Sequence, residues 1–146
     1  MYKIKTFSAD TIPKKYKRDI IDGHHCFRDG KRMITQKWLQ FQLNRAPIIT
    51  VALDDDLRVA GFLMAYRHNG PDTGSWTLNT ICTKRGSRTG PLLMESFINK
   101  ARKSRAKQIT LYATTQASKR AYKKYGFQID DSICDGDDGA SMYLAF

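Results

Sequence analysis

Arg85-Gly86-Ser87-Arg88-Thr89-Gly90 joins two segments of different character, and it is the stretch that decides the fold. The segment before it, Ser75 to Thr83, is rich in β-forming residues, and the segment after it, Pro91 to Ala106, is amphipathic. A short glycine-containing turn from a strand into a helix leaves several backbone N–H groups and the positive helix end facing one concave spot. Such a spot suits a phosphate, so the sequence predicts a phosphate-binding loop here.

A second motif follows about thirty residues later and reads Thr115-Gln-Ala-Ser118-Lys-Arg-Ala-Tyr122-Lys-Lys-Tyr-Gly126-Phe127. Together the two motifs resemble the Gcn5-related N-acetyltransferases, the GNAT family. The pyrophosphate loop of that family reads Gln/Arg-x-x-Gly-x-Gly/Ala, and its next strand and helix end in Tyr-x-x-x-Gly-Phe. The resemblance covers roughly Ile48 to Phe127 and rests on the order and spacing of both motifs.

The order of the predicted elements supports a single α/β domain over residues 1–146. Strands are predicted at Lys3–Phe7, Ile48–Leu53, Val59–Tyr66, Trp76–Cys82, Gln108–Ala113, Phe127–Asp130 and Ser141–Phe146. Helices are predicted after Pro13, at Thr35–Asn44, after the phosphate loop, and at Gln116–Tyr125 with Gly126 as its C-cap. The resemblance implies how these elements assemble: a mixed, mostly antiparallel central sheet with helices on both faces.

Length and composition exclude several classes of protein. A chain of 146 residues with 41% hydrophobic residues can bury one core, and no apolar run approaches the ~20 residues of a membrane span. The start of the chain, Met1 to Lys5, lacks the apolar stretch of a signal peptide, which favours a cytoplasmic protein without membrane contact. Cys26, Cys82 and Cys134 are odd in number and lack Cys-x-x-Cys spacing, so we expect reduced thiols and no metal site.

The positive charge is concentrated on the segment that carries both motifs. The net charge is +11, and residues 84–124 contain twelve Lys and Arg but one acid, Glu95, while the rest of the chain is balanced. A basic face attracts phosphorylated ligands and nucleic acids. The alternative is that most of these side chains form solvated helix faces.

The resemblance assigns acetyl-coenzyme A as the co-substrate and names the residues that bind it. Backbone groups of Thr80, Ile81 and Cys82 pair with the pantetheine arm, because in the family this strand separates from its neighbour. The pyrophosphate lies on the loop formed by Arg85, Gly86, Ser87, Arg88, Thr89 and Gly90. Thr115 and Ser118 stand where the family often has Asn and Ala, and they are further candidates for cofactor contacts.

Arg88 departs from the family pattern, since it stands where the family has its first Gly. The side chain is tolerable if it points to solvent or toward a phosphate, and its guanidinium could then form a bidentate contact. It is unfavourable if the position needs a positive φ. We expect the tolerated case, because Gly86 and Ser87 keep the loop small.

Catalysis by family analogy requires a proton donor and a proton acceptor. Tyr122 matches the family Tyr that protonates the departing coenzyme A thiolate, whereas Tyr112 and Tyr125 are expected to be packing residues. No carboxylate lies between Trp76 and Thr83, so the proton of the amine goes to Asp72, His68, His24 or His25, or to solvent. Cys82 is an alternative as a covalent acyl carrier.

The predicted function is acetyl-coenzyme A-dependent transfer of an acetyl group to a primary amine, which attacks directly in a ternary complex. The acceptor stays open among a protein lysine or N-terminus, a polyamine or other small amine, and an aminoacyl-tRNA. The alternatives are a catalytically silent protein of the same fold that binds nucleic acid or senses acyl-coenzyme A. The sequence is compatible with a monomer or a homodimer.

Overall fold

The structure is a computed structural model that describes residues 1–22, 35–68, 74–133 and 139–146. The strands are β1 (Lys3–Phe7), β2 (Ile48–Leu53), β3 (Val59–Arg67), β4 (Ser75–Thr83), β5 (Gln108–Ala113), β6 (Gln128–Ile129) and β7 (Ala140–Ala145). The helices are α1 (Lys14–Asp22), α2 (Gln36–Leu43), α3 (Gly90–Lys103) and α4 (Gln116–Lys123). The predicted order of elements is therefore confirmed.

The seven strands form one mixed sheet in the order β1-β2-β3-β4-β5-β7-β6. Every neighbouring pair is antiparallel except β4 and β5, which are parallel. The predicted mixed, mostly antiparallel sheet is confirmed.

Strands β4 and β5 pair over only a short length. Their register consists of Ser75 with Gln108, Trp76 with Ile109 and Thr77 with Thr110. Strand β4 nevertheless continues to Thr83 and β5 to Ala113, so the two strands part beyond the Thr77–Thr110 pair and leave a wedge between them. We call this opening the β4–β5 wedge.

Two hydrophobic cores pack on opposite faces of the sheet. One contains α3 residues such as Leu93 and Phe97, the β5 residue Ile109, and Phe127 after α4. The other contains residues of α1 and α2 and the alternate positions of the strands, among them Ile20, Leu39, Ile49, Val51 and Met64. Helices therefore cover both faces, as predicted. Within the described ranges no helix is both long and apolar enough to cross a bilayer.

The start of α3 lies directly on β3. A Cβ atom at Gly61 would overlap Thr89 Oγ1 and would lie 3.2 Å from Leu93 Cδ1. Thr89 is fully buried at this contact. Glycine at position 61 therefore permits the close approach that fixes the phosphate loop against the sheet.

Two helices end earlier than their sequence patterns predict. Helix α3 ends at Lys103, and the chain then turns through Arg105, which has a φ of 62°. Helix α4 ends at Lys123 and is followed by Gly126 with a φ of 98°. The Phe127 N–H donates to the Tyr122 carbonyl across this turn, so Gly126 closes the helix as predicted.

Candidate cofactor and active site

The phosphate loop begins with a tight turn at the end of β4. The Ser87 N–H donates to the Lys84 carbonyl at 2.9 Å, and Gly86 occupies the third position of this turn with a φ of 78°. A Cβ atom at Gly86 would meet nothing within 4 Å. Backbone conformation, and not a lack of space, is therefore the reason for glycine here. Arg85 lies in the same turn with its side chain exposed.

Arg88 adopts the left-handed backbone conformation that glycine takes most readily. Its φ is 58°, so the position does need the left-handed region, and the expectation that it would avoid this region is wrong. The side chain is exposed, as the tolerated case required. A residue with a Cβ in this region raises the free energy of the folded state by about 1 kcal/mol. The loop therefore carries its cation at the cost of backbone strain.

Thr89 and Gly90 form the junction of the loop with α3. The Thr89 side chain makes no capping bond to the helix, and its Oγ1 lies 3.0 Å from Ser87 Oγ. At Gly90 the nearest described atom to an added Cβ would be Thr83 Cγ2 at 3.8 Å, and φ lies outside the left-handed region. Neither conformation nor packing therefore requires glycine at position 90, which leaves room for a ligand at the helix N-terminus.

Strand β4 carries a β-bulge just beyond the point where it parts from β5. Thr80 pairs with Met64 and Leu78 pairs with Ala65, so Asn79 is the extra residue. The Asn79 side-chain amide donates to Gln42 Oε1 at 3.0 Å, and the Tyr66 hydroxyl donates to the same oxygen. These bonds hold the bulge against α2. Burial raises the pKa of Tyr66, which keeps its hydroxyl in the donating form.

Thr80, Ile81 and Cys82 follow this bulge on the part of β4 that borders the wedge. Thr80 and Ile81 are half-buried, and Ile81 packs against the core on the α3 side. Cys82 is buried on the opposite side, and its sulfur belongs to a disulfide. The expectation of a reduced thiol at Cys82 is therefore wrong, and a disulfide sulfur is not the thiolate that an acyl carrier needs. Cys26 and Cys134 lie outside the described residues.

Thr115 and Ser118 form a reciprocal capping box at the start of α4. Thr115 Oγ1 accepts from the Ser118 N–H at 3.0 Å, and Ser118 Oγ accepts from the Thr115 N–H at 3.0 Å. Capping satisfies backbone donors that the helix itself leaves open, so it explains both residue types. Their contact with a cofactor stays a prediction.

Tyr122 lies half-buried on α4 and packs against Phe127. The two ring centres are 5.9 Å apart in an edge-to-face arrangement. Burial raises the pKa of Tyr122, with a smaller contribution from the neighbouring Tyr125. The phenol therefore keeps its proton at neutral pH and can act as a proton donor.

The other two tyrosines named above differ from each other. Tyr125 is partly buried against the core on the α3 side, as predicted, and its pKa is raised by burial and by the charge of Glu95. Tyr112 leaves 48% of its surface exposed, but its ring packs against Gly139, where an added Cβ would overlap it. Its position on β5 alternates with the apolar positions Leu111 and Ala113, which explains why it faces away from that core.

A chain of three polar side chains lies at the narrow end of the wedge. His68 Nε2 lies 2.6 Å from Thr77 Oγ1, and Thr77 Oγ1 lies 2.9 Å from Thr110 Oγ1. The sequence reasoning named His68 among several proton acceptors and missed both threonines. The sequence does not single these two out, because β4 carries four further polar residues and β5 carries two. The other candidates, Asp72, His24 and His25, lie outside the described residues.

Metal ligands are not grouped in the part of the chain that the structure describes. No set of three or more His, Cys, Asp or Glu side chains there is placed to hold an ion. The described residues of the site are a glycine-containing turn before α3, a parted strand pair, a tyrosine with a raised pKa and a polar chain that ends on a histidine.

Comparison with known proteins gives matches among solved structures. No family model matches the sequence, and no curated protein matches it. The PaiA N-acetyltransferase of Thermoplasma acidophilum, solved with coenzyme A, is similar over 100% of this chain and 99% of its own, with a TM-score of 0.73 and 16% identity.

Two further structures show the same similarity. Ard1 of Thermoplasma volcanium aligns over 99% of this chain and 97% of its own, with a TM-score of 0.72 and 19% identity. A GNAT-family acetyltransferase of Staphylococcus aureus Mu50 aligns over 98% and 99%, with a TM-score of 0.70 and 15% identity. Since whole chains align at these scores, this protein has the fold of the Gcn5-related N-acetyltransferases.

Proposed function

We propose that this protein is an acetyl-coenzyme A-dependent N-acetyltransferase. The observation that carries the proposal is the β4–β5 wedge, which opens beside a loop whose Gly90 is required by neither conformation nor packing. A wedge between parallel strands accepts an extended chain, and a glycine at a helix N-terminus lets a phosphate approach the backbone. Coenzyme A has both parts, a pantetheine arm and a pyrophosphate.

The phosphate loop supplies the polar contacts of the proposal. The Ser87 N–H donates to the Lys84 carbonyl, and the other backbone N–H groups of the loop would face the pyrophosphate together with the N-terminus of α3. Arg85 and Arg88 are both exposed and would add charge-assisted hydrogen bonds. The strain accepted at Arg88 supports this role, because nothing else among the described contacts explains a cation at a φ of 58°.

The acetyl group would lie in the wedge near the Asn79 bulge. The backbone of Thr80, Ile81 and Cys82 would run alongside the pantetheine arm as a neighbouring strand does. Tyr122 would donate its phenolic proton to the departing sulfur while the amine nitrogen forms its bond to the acetyl carbon and the C–S bond breaks. The donor must carry its proton beforehand, and the raised pKa of Tyr122 leaves it protonated at neutral pH.

The acceptor is proposed only as a primary amine. The similar structures include an aminoglycoside 6'-acetyltransferase and Ard1. Both are 19% identical to this chain, so neither is a better guide to its acceptor than the other. Fold alone does not select among a small amine, a protein amine and an aminoacyl-tRNA.

The positive charge at the far end of α3 favours a second contact, with a polyanionic partner. Helix α3 has 14 residues and is therefore about 20 Å long, so its C-terminal cations lie well away from the phosphate loop. Lys100 and Lys103 line a groove with Thr6, Asn99 and Ser104. One coenzyme A cannot contact both ends of the helix, so these cations would serve a nucleic acid or another polyanion.

The test of the function is binding and turnover of acetyl-coenzyme A. We expect millimolar acetyl-coenzyme A to raise the melting temperature, and we expect Gly90→Glu to abolish that rise by placing bulk and charge at the helix N-terminus. Asn99→Glu is the matched control, because it adds the same charge to an exposed position of the same helix. Binding without turnover of any amine would indicate a sensor, and salt-sensitive RNA binding without cofactor binding would indicate a nucleic-acid-binding protein.

A further inference from the structure

The chain of His68, Thr77 and Thr110 is continuous in hydrogen-bonding distance. The contacts are 2.6 Å and 2.9 Å, within the range of O–H···N and O–H···O bonds. A threonine hydroxyl donates one proton and accepts two, and a neutral imidazole accepts at one nitrogen. A proton can therefore pass along this chain in one direction without any change of side-chain position.

The chain begins where the wedge begins. Thr77 and Thr110 form the last paired position of β4 and β5, so Thr110 Oγ1 lies at the narrow end of the opening. Both threonines are half-buried, whereas His68 is exposed at the end of β3. One end of the chain thus faces the proposed site of the acetyl group, and the other faces solvent.

We propose that His68, Thr77 and Thr110 form a proton relay that removes the proton of the attacking amine. The inference rests on the proposed function. The amine N–H proton passes to Thr110 Oγ1, the Thr110 hydroxyl proton passes to Thr77 Oγ1, and the Thr77 hydroxyl proton passes to His68 Nε2. The nitrogen lone pair forms the bond to the acetyl carbon, and Tyr122 supplies the separate proton that the sulfur takes.

The direction of the relay requires Thr110 to turn its proton toward Thr77. The competing acceptor is the Trp76 carbonyl, which lies 3.5 Å from Thr110 Oγ1, against 2.9 Å for Thr77 Oγ1. The shorter contact favours donation to Thr77 Oγ1, which is the direction that the relay requires and which leaves the Thr110 lone pairs for an amine.

Among the described residues, those close to His68 or to the neighbouring Tyr66 include cations. Arg67 precedes His68 and places its guanidinium 5.8 Å from the Trp76 ring centre. Arg45 follows α2 and acts by its charge on Tyr66, and the Lys107 side chain packs against Gly74 beside the start of β4. In the described part of the chain, His68 makes no ion pair with an acid. His68 is exposed at the end of β3, so the imidazolium can return its proton to water.

The first experiment is a pH profile of kcat/KM with acetyl-coenzyme A and whichever of spermidine, a lysine peptide and kanamycin reacts fastest. For the wild type we expect kcat/KM to rise with pH, because only a neutral imidazole can accept the proton. His68→Gln and Thr77→Val should remove this rise and lower kcat/KM at pH 7 by about 10²-fold. Thr77→Ser should retain both, because it keeps the hydroxyl.

The matched control is Thr50→Val. Thr50 Oγ1 lies 3.0 Å from Thr6 Oγ1, so this substitution breaks a similar Thr–Thr contact in the same sheet, away from the wedge. It should leave the pH profile unchanged. Wild-type turnover with an unaltered profile in His68→Gln or Thr77→Val would overturn the relay while leaving the proposed function intact. Absence of turnover with all three amines, together with no rise of the melting temperature in acetyl-coenzyme A, would contradict the proposed function itself, and the relay with it.

A second experiment tests the relay without turnover. The relay requires neutral His68 to carry its proton on Nδ1 and to accept at Nε2, and ¹⁵N NMR distinguishes the two tautomers. We expect the Nδ1–H form in the wild type and in Thr77→Ser, and a mixture of tautomers in Thr77→Val. Signals are assigned by comparison with His68→Gln. A wild-type imidazole protonated on Nε2 would overturn the relay, because Thr77 would then be its acceptor.

Discussion

Replacing Arg88 by glycine should change stability and cofactor affinity in opposite directions. At a φ of 58° the Arg88 Cβ costs about 1 kcal/mol, and relieving it is partly offset by the greater entropy of glycine in the unfolded chain. The net gain is about 0.5 kcal/mol, or roughly 1–2 °C in melting temperature. Loss of a charge-assisted hydrogen bond to pyrophosphate costs about 1.5–3 kcal/mol, which weakens binding of acetyl-coenzyme A by ~10–150-fold.

Arg105→Gly is the matched control for this substitution. Arg105 is also exposed and has a φ of 62°, but it follows the far end of α3. Arg105→Gly should raise the melting temperature by a similar amount and leave the affinity for acetyl-coenzyme A unchanged. Melting curves and calorimetric titration of both variants check the reasoning. If Arg88→Gly binds acetyl-coenzyme A as tightly as the wild type, Arg88 does not reach the phosphates and its strain needs another explanation.

Two further predictions concern Tyr122 and the basic residues beyond the loop. Tyr122→Phe should retain cofactor binding and the ring contact with Phe127 while lowering turnover by about 10²–10⁴-fold; wild-type turnover in this variant would assign protonation to water. Because the pKa of Tyr122 is raised, its activity should not decline with pH below about 10 through loss of the phenolic proton. Reversing four cations to Glu should abolish RNA or DNA binding at ~50 mM salt and leave coenzyme A affinity nearly unchanged; no wild-type binding at that salt would mean a solvated face. These cations are Arg102, Lys103, Arg105 and Lys107.

The fold could be predicted from the sequence because the residues that begin and end its helices and turns act locally. Gly86 and Gly126 both take a positive φ, and Thr115 opens a helix with a capping box, so each is readable from its neighbours along the chain. Strand bounds such as Lys3–Phe7 and Ile48–Leu53 were predicted without error, since apolar residues alternate or run without interruption there. Local signals of this kind need no knowledge of distant contacts.

The candidate site was less predictable because it depends on contacts between distant segments. Thr77 and Thr110 are separated by more than thirty residues and meet only where β4 and β5 pair. The disulfide of Cys82 was missed because an odd number of cysteines gives no pairing signal. The conformation of Arg88 was also missed, since a motif departure shows that a residue differs but does not show its φ.

The short pairing of β4 with β5 also affects how the protein holds together. Three residue pairs provide the strand-to-strand connection between the four strands β1–β4 and the three strands β5–β7, and the Gly74 carbonyl adds bonds to the N–H groups of Lys107 and Gln108. A pantetheine arm between the parted strands would take the place of the missing pairing and join the two parts along their full length. Amide hydrogens of both strands would then exchange more slowly with solvent, and the substrate would itself be a structural element of the sheet for as long as it stays bound.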